Sequence, residues 1–309
     1  MQPTKLDIAA ESWTGSIAFL EHHHTNKSGK RVGHPQALQI AIDGPAGAGK
    51  STVARKLADH LGYLYIDTGA MYRASTWLAL KNDIALTDGD AIAALASRSN
   101  IQLKPADESS DGKIRVFVDD EEITREIRTQ KMSELTAGIA ALGKVREVLV
   151  DKQRELAREG YCVIDGRDIG TVVMPDAGLK VFLTASPEER ARRRQKELAA
   201  QGETPNFDEL LKAINERDYL DCNRAVSPLM RAVDAIELIT DNMTIDDVVL
   251  ELEKLAKEAF QPAPILVQPR AHERRDVLEC QDVLDSSDLP TLSYRPDQER
   301  HELPEAQEV

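Results

Sequence analysis

The apolar positions of this 309-residue chain follow two periods, which alternate from about residue 37 to residue 260. Short apolar runs typical of buried strands span 37–43, 63–67, 161–165, 180–184 and 235–239. Helical spacing or a capping pattern marks 53–61, 68–80, 88–97, 145–158, 186–200, 207–220 and 244–260. This alternation predicts an α/β fold, a five-stranded parallel sheet flanked by helices.

A different pattern interrupts this alternation between about residues 100 and 158. Residues 101–104 and 114–118 alternate apolar with polar side chains on either side of a polar loop, which is typical of a hairpin. We therefore interpret about 100–158 as an α+β insert on the main sheet. The main domain is expected to span 37–261.

Both ends of the chain lack such a pattern. Residues 1–36 contain His22–His24, which either bind a metal, are the remnant of an added tag or belong to a solvated extension; composition favours the last. Residues 262–309 are acidic and contain several prolines. We expect both segments to be disordered, the second being a candidate interaction arm.

Charge and cysteine content exclude several classes of protein. A formal net charge of −14 argues against a general nucleic-acid binder, which carries a basic field. The three cysteines have no C-x-x-C spacing, so neither a disulfide framework nor a zinc site is expected. The sequence shows no signal peptide and no apolar run near 18 residues. We therefore expect a cytoplasmic monomer without a membrane span.

The first predicted strand leads into the motif G-x-x-x-x-G-K-[ST]. Glycines let the backbone amides curl around phosphate oxygens, the lysine reaches the β- and γ-phosphates, and the serine hydroxyl ligates Mg²⁺. A strand precedes the motif and a helix follows it, which is the context it requires. The residues expected to contact ATP are Gly44, Pro45, Ala46, Gly47, Ala48, Gly49, Lys50, Ser51 and Thr52.

Two polar clusters follow predicted strands, where open α/β sheets bind ligands. Asp165 ends a buried strand, so its carboxylate is placed either to hold the water shell of Mg²⁺ or to cap the next helix. Thr68 and Arg73 follow the second strand. Arg73 either binds an acceptor phosphate or extends its side chain into solvent.

Two further clusters have helical spacing. Arg217, Asp221 and Arg224 are predicted to share one helix face, which suits a phosphate and a sugar hydroxyl or, alternatively, a salt-bridged surface. Arg190, Arg193 and Arg194 are predicted to share another face. Stacked like charges destabilise a helix unless an anion joins them, so we expect a mobile lid over about residues 186–206.

Five segments in this order carry a family resemblance. They are residues 44–52 (GPAGAGKST), 67–73 (DTGAMYR), 127–130 (IRTQ), 165–171 (DGRDIGT) and 217–224 (RDYLDCNR). On one P-loop core they resemble bacterial cytidylate kinases, which phosphorylate CMP. The resemblance covers about residues 37–260. Ser51 stands where some members have glycine, but serine is the usual P-loop residue.

The resemblance implies a P-loop NTPase core, a monophosphate-binding insert and a short helical lid. Implied catalytic residues are Lys50, Asp165, Arg167, Arg190 and Arg194. Residues implied to hold the CMP phosphate are Arg73, Arg167 and Arg224. The ribose would be held by Arg217 and Asp221 with Thr68 nearby, and the cytosine edge would be read by Arg128 and Asp168. Implied metal sites are Ser51, directly, and Asp165, through water.

The predicted activity is ATP- and Mg²⁺-dependent phosphorylation of CMP, and of dCMP, in pyrimidine nucleotide metabolism. One alternative is a kinase for UMP or for a small metabolite such as shikimate. Another is a GTP-binding switch, but the guanine motif N-K-x-D is missing, since Asn26 and Lys27 precede the P-loop. A partner protein on the acidic segment is a further possibility. We expect nucleotides, and no nucleic acid or membrane, as partners.

Overall fold

Eight strands form two sheets in the computed structural model, which describes residues 38–107, 110, 112–200 and 202–260. They are β1 Gln39–Asp43, β2 Leu64–Asp67, β3 Ile101–Lys104, β4 Arg115–Val118, β5 Glu121–Glu122, β6 Cys162–Gly166, β7 Leu179–Thr184 and β8 Ile236–Ile239. Five strands, in the order β2-β6-β1-β7-β8, pair in parallel. The predicted five-stranded parallel sheet is confirmed.

The described residues form eight α-helices, and all but the fourth match a predicted range with small shifts at their ends. They are α1 Lys50–Leu61, α2 Thr68–Lys81, α3 Gly89–Arg98, α4 Gln130–Ile139, α5 Gly143–Ala157, α6 Pro187–Ala200, α7 Phe207–Asn223 and α8 Ile245–Ala259. Side chains cap the first turns of α6 and α8: Ser186 Oγ accepts from the Glu189 amide at 3.3 Å, and Thr244 forms a capping box with Asp247.

The central strand β1 has partners on both sides. Gln39 lies opposite Cys162 of β6, and Ile40 lies opposite Leu179 of β7. All five residues of β1 are buried, as expected for a strand covered on both faces. The glycine-rich loop after β1 therefore lies at the carboxyl edge of the sheet, where ligands bind in such folds.

The sheet has a hydrophobic cluster on each face, because successive side chains of β1 point to opposite sides. Ile40 and Ile42 pack with α1 and α8, through residues such as Leu57 and Leu252. Ala41 belongs to the other cluster, which includes α2, α3 and α5. Aliphatic residues of the second sheet region join this cluster, among them Val116, Val118 and Ile123.

The predicted hairpin is confirmed as the antiparallel pair β3–β4, which β5 extends. The sequence analysis did not predict α4, which Thr129 caps by accepting from the Met132 amide. It also missed a short π-helix at Ile169–Val173, directly after the DGRD segment. The boundaries of the insert at about 100–158 remain a prediction.

The two terminal segments, 1–37 and 261–309, lie outside the described residues. The predictions made for His22–His24 and for the acidic segment therefore stay predictions. Across the described ranges, none of the helices is both long enough and apolar enough for a membrane span.

Candidate active site

The loop between β1 and α1 curls tightly because glycines occupy its strained positions. Gly44, Gly47 and Gly49 have φ of +150°, +75° and +90°. At Gly44 any Cβ atom would overlap the carbonyl oxygen of Leu183, so glycine is required there on steric grounds as well. Gly49 precedes α1, whose first turn has no side-chain cap and no acidic residue. The amides of that turn are therefore suited to an anion.

Lys50 is buried at the start of α1, and its ammonium group donates to the carbonyl oxygen of Pro45 at 2.7 Å. Burial lowers the pKa of Lys50, and the positive charge of Arg167 lowers it further. A buried ammonium group whose charged form is disfavoured in this way is stabilised by a nearby anion. The Lys50 side chain is thus folded back over the loop, and its contact with a phosphate stays a prediction.

Two arginines of α6 also donate to this loop. Arg190 reaches the carbonyl oxygen of Ala46 at 3.0 Å, and Arg193 reaches that of Ala48 at 3.4 Å. We call Lys50, Arg190 and Arg193 the loop cations. The predicted arginine face of α6 therefore contacts the loop through two of its members.

Arg194, the third member of that predicted face, lies apart from the loop. It pairs with Glu197 at 2.8 Å and donates to Gln130 at 3.0 Å. The anions that compensate the stacked charges of α6 are protein carboxylates, Glu189 for Arg193 and Asp218 for Arg190. Closure of this helix as a lid remains a prediction.

Ser51 and Asp165 meet beside the loop, although 114 residues separate them. The serine hydroxyl donates to Asp165 Oδ2 at 2.8 Å, and the Tyr65 hydroxyl donates to Oδ1 at 2.8 Å. Burial, together with the nearby carboxylate of Asp67, raises the pKa of Asp165. A hydroxyl and a carboxylate in one place form the hard oxygen donor set that suits Mg²⁺, so these residues fit the predicted ion.

Asp43, the last residue of β1, ties the start of the loop to the DGRD segment. Its two oxygens accept from the amides of Ile169 and Gly170 at 2.8 and 2.7 Å. Burial raises the pKa of Asp43 to about 6, although these amides oppose the shift. The segment after Asp168 is therefore held against the strand that carries the loop.

Asp168 is buried between two arginines on the other side of the site. Arg146 of α5 donates to its Oδ2 atom, and Arg224 lies 3.8 Å from Oδ1. The Arg146 guanidinium also lies over the ring of Tyr72, 5.5 Å from its centroid. Two cations thus flank the one carboxylate of Asp168.

Three arginine side chains in the described part of the chain each have a buried nitrogen without a hydrogen-bond partner. These atoms are Nε of Arg73, Nε of Arg146 and Nη2 of Arg224. An unpaired buried donor costs about 1–3 kcal/mol, so a native protein rarely keeps one without a reason. An acceptor oxygen of a ligand would satisfy such an atom. We call Arg146 and Arg224, with Asp168 between them, the acceptor cluster.

Asp221 joins two of the predicted substrate-binding arginines. Its Oδ2 atom accepts from Arg167 Nε at 2.8 Å and from Arg217 Nε at 3.3 Å. Burial alone would raise the pKa of Asp221, but the two guanidiniums outweigh burial and lower it. Arg73 pairs instead with Asp67 at 3.3 Å, and the Thr68 hydroxyl donates to the carbonyl oxygen of Asp165.

The prediction of one helix face for Arg217, Asp221 and Arg224 is wrong for its last member. Helix α7 ends at Asn223, and Arg224 follows it with an extended backbone. Its Nε donates to the carbonyl oxygen of Ser227, and its other end turns toward Asp168. Arg224 thereby belongs to the acceptor cluster rather than to the face of α7.

Arg128 does not contact Asp168. Its guanidinium donates to the carbonyl oxygens of Thr124 and Ile114, at 3.1 and 2.8 Å. Burial lowers the pKa of Arg128. The carboxylate of Asp67 opposes this shift, and the positive charge of Arg73 adds to it. The structure therefore brings Arg128 toward Arg73, whereas the position beside Asp168 belongs to Arg146, which the sequence analysis did not single out.

Comparisons with known proteins show what this chain is similar to. The family described as "Cytidylate kinase" matches residues 40–258. A cytidylate kinase of Desulforamulus reducens is 54% identical over 210 residues, which cover 68% of this chain and 92% of that protein. A solved shikimate kinase from Bacteroides thetaiotaomicron is 17% identical, covers 71% of this chain and 98% of that one, and has a TM-score of 0.36.

A bifunctional pantoate ligase/cytidylate kinase of Trichormus variabilis is 50% identical over 214 residues, 69% of this chain and 40% of that protein. The chain thus spans about two fifths of the length of this relative. The family match, in contrast, extends over most of the described residues. On these grounds, the chain belongs to the cytidylate kinase family.

Proposed function

We propose that this chain transfers the γ-phosphoryl group of ATP to CMP, and to dCMP, giving the nucleoside diphosphate and ADP. The observation that carries this proposal is the acceptor cluster, in which a buried carboxylate lies among arginines with unpaired donors. Arginine donors suit a phosphate, and an ionised carboxylate accepts from an amino group such as that of cytosine.

The donor phosphates are proposed to bind the loop of residues 44–52. Lys50 would exchange the Pro45 carbonyl oxygen for a phosphate oxygen, because its buried ammonium is disfavoured without an anion. The Ser51 hydroxyl, and the Asp165 carboxylate through water, would hold Mg²⁺. When bound, this ion supplies positive charge against the donor phosphates. Arg190 and Arg194 are proposed to add charge when α6 closes.

The acceptor nucleotide is proposed to bind between α2, the DGRD segment and α7. Arg73, Arg167 and Arg224 would hold its phosphate, and the ribose would contact Arg217 and Asp221 with Thr68 nearby. Asp168 would accept a hydrogen bond from the cytosine amino group, and Arg128 would also contact the base. The position of Arg146 against Asp168 makes it an additional candidate for contact with the base.

No side chain is required as a covalent nucleophile in this reaction. A phosphate oxygen of CMP attacks the γ-phosphorus in line, and ADP leaves with its bridging oxygen. The protein contributes the alignment of two mutually repelling phosphates and the neutralisation of their charge. We further propose that the enzyme is a cytoplasmic monomer and that neither terminal segment takes part in the chemistry.

A coupled assay of ADP production with CMP, dCMP, UMP, AMP, GMP and shikimate tests this function. We expect turnover to be fastest with CMP and dCMP and to require Mg²⁺. Faster turnover of UMP or shikimate would contradict the proposed acceptor. ATP binding without turnover of any acceptor would instead support a nucleotide-binding switch.

A further inference from the structure

Asp218 contacts the donor side of the site through Arg190. Its two oxygens accept from the two terminal nitrogens of Arg190, at 3.0 and 2.6 Å. The Arg190 side chain is only 3% exposed, whereas that of Asp218 is 22% exposed. A bidentate pair of this kind fixes the plane of the guanidinium, because both of its terminal N–H groups are directed at one carboxylate.

The remaining donors of Arg190 are directed at protein backbone. Nε donates to the carbonyl oxygen of Ala185 at 2.9 Å, and Nη1 also donates to that of Ala46 in the donor loop. Asp218 thus fixes the guanidinium that holds the loop. A change in the loop that moves Arg190 would also pull on Asp218.

Asp218 lies on the same turn of α7 as residues assigned to the acceptor side. Asp221 follows it by three positions, so both carboxylates lie on one side of the helix. Asp221 holds Arg167 and Arg217, whereas Asp218 holds Arg190. One helical turn therefore connects the loop cation Arg190 to two proposed substrate-binding arginines.

We propose that Asp218 is a positioning residue that couples the two nucleotide sites through Arg190. Phosphates on the donor loop draw Arg190 into a new position, α7 follows through Asp218, and Asp221 then aligns Arg167 and Arg217 with the acceptor. This inference rests on the proposed function, because it needs ATP and CMP as the two ligands. It predicts that each nucleotide tightens the binding of the other by the same factor.

Calorimetry with CMP measures this coupling factor, in the absence and presence of Mg²⁺ and the non-hydrolysable analogue adenylyl imidodiphosphate. For the unaltered chain we expect the analogue to tighten CMP binding by about 5- to 150-fold. Asp218→Asn should reduce the factor to within about twofold of 1. Glu216→Gln is the matched control, since Glu216 is an exposed residue of α7 that pairs with Lys212. It should leave the factor unchanged.

A double variant separates coupling between the two nucleotide sites from a purely structural role of Asp218. In a chain that already carries Arg190→Gln, the further change Asp218→Asn should leave the coupling factor unaltered, because the link is already broken. If Asp218→Asn lowers the melting temperature but keeps the coupling factor, Asp218 is merely structural and the inference fails. It also fails if the unaltered chain binds both nucleotides without coupling. Absence of CMP binding to the unaltered chain would instead contradict the proposed function.

Discussion

The donor loop and the acceptor cluster both concentrate positive charge, but they satisfy it differently. The loop cations donate to the carbonyl oxygens of Pro45, Ala46 and Ala48, so the loop is closed by its own protein partners. The arginines of the acceptor cluster instead retain buried nitrogens without partners. The loop cations are thus paired within the protein, whereas the arginines of the acceptor cluster are only partly paired.

This difference has an energetic consequence for binding. At the donor loop a phosphate must replace existing hydrogen bonds, so Lys50 gains mainly from the opposite charge. At the acceptor cluster a phosphate or a base removes a penalty of about 1–3 kcal/mol for each unpaired donor. We therefore expect Lys50 to contribute chiefly to turnover and the acceptor cluster chiefly to the choice and affinity of substrate.

Removal of the Lys50 ammonium tests the donor region and has the largest expected effect. Lys50→Ala should lower kcat by about 10²- to 10³-fold, because charge on the transferring phosphoryl group loses a fixed partner. The melting temperature should hardly change, since among the described residues Lys50 Nζ donates one hydrogen bond, to the Pro45 carbonyl oxygen. Lys56→Ala is the control, since Lys56 is an exposed lysine of α1 that pairs with Asp246. A loss of melting temperature as large as the loss of activity would show a structural role.

A change of Asp168 tests whether the acceptor cluster selects the base. Asn can rotate its amide and donate to the carbonyl group that uracil carries in place of the cytosine amino group. Loss of a charge-assisted bond of about 1.5–3 kcal/mol lowers kcat/KM for CMP by roughly 10- to 150-fold. With Asp168→Asn, UMP should lose less or improve. Steady-state kinetics with both nucleotides decide this, because an unchanged CMP/UMP ratio would mean that Asp168 only supports its arginines.

Tyr65 offers a smaller test at the junction of the two regions. Tyr65→Phe removes one hydrogen bond to Asp165, worth about 1 kcal/mol, or roughly a fivefold effect. We expect the Mg²⁺ concentration for half-maximal rate to rise by that factor and Mn²⁺ binding, followed by electron paramagnetic resonance, to weaken equally. Tyr63→Phe is the matched control, since Tyr63 packs edge-on against Tyr161. Equal metal affinity in both variants would remove Tyr65 from the metal site.

The smallest effect is expected from removal of both terminal segments. The contacts described for the two regions involve only residues 43–240, so a chain of residues 37–261 should keep kcat and KM for CMP within about twofold. Kinetics of the shortened chain with ATP and CMP varied separately measure this. A larger change in the KM for ATP alone would mean that a terminal segment acts on the donor loop. A larger change in the KM for CMP alone would mean that it acts on the acceptor side.

The sequence predicts the donor region well because the motif is local. Glycines, lysine and serine stand within nine positions between a strand and a helix, so spacing alone defines the loop. The acceptor region is harder to predict, because its contacts join distant segments. Arg146 meets Asp168 across 22 residues, and Asp43 meets Ile169 across 126. A lone arginine in a charged helix gives no local signal of such a partner.

Helix ends explain two further differences between sequence and structure. The spacing of Arg224 fits the face of α7, but the helix stops one residue earlier and the side chain turns away. Helix α4 escaped prediction because its stretch contains glycine and threonine, residues that are poor helix formers. Its cap, Thr129, is the signal that would have indicated where it begins.

The position of β1 in the middle of the sheet has a consequence for synthesis of the chain. Both of its neighbours, β6 and β7, come from residues after 160. A ribosome must therefore make about 120 more residues before the apolar strand finds a strand partner, and pairing over such distances is slow. Until then the hydrogen-bonding edges of β1 stay unpaired, which exposes the nascent chain to aggregation or to chaperones. A product that ends before β7 has the phosphate motif but lacks Leu183, against which Gly44 packs.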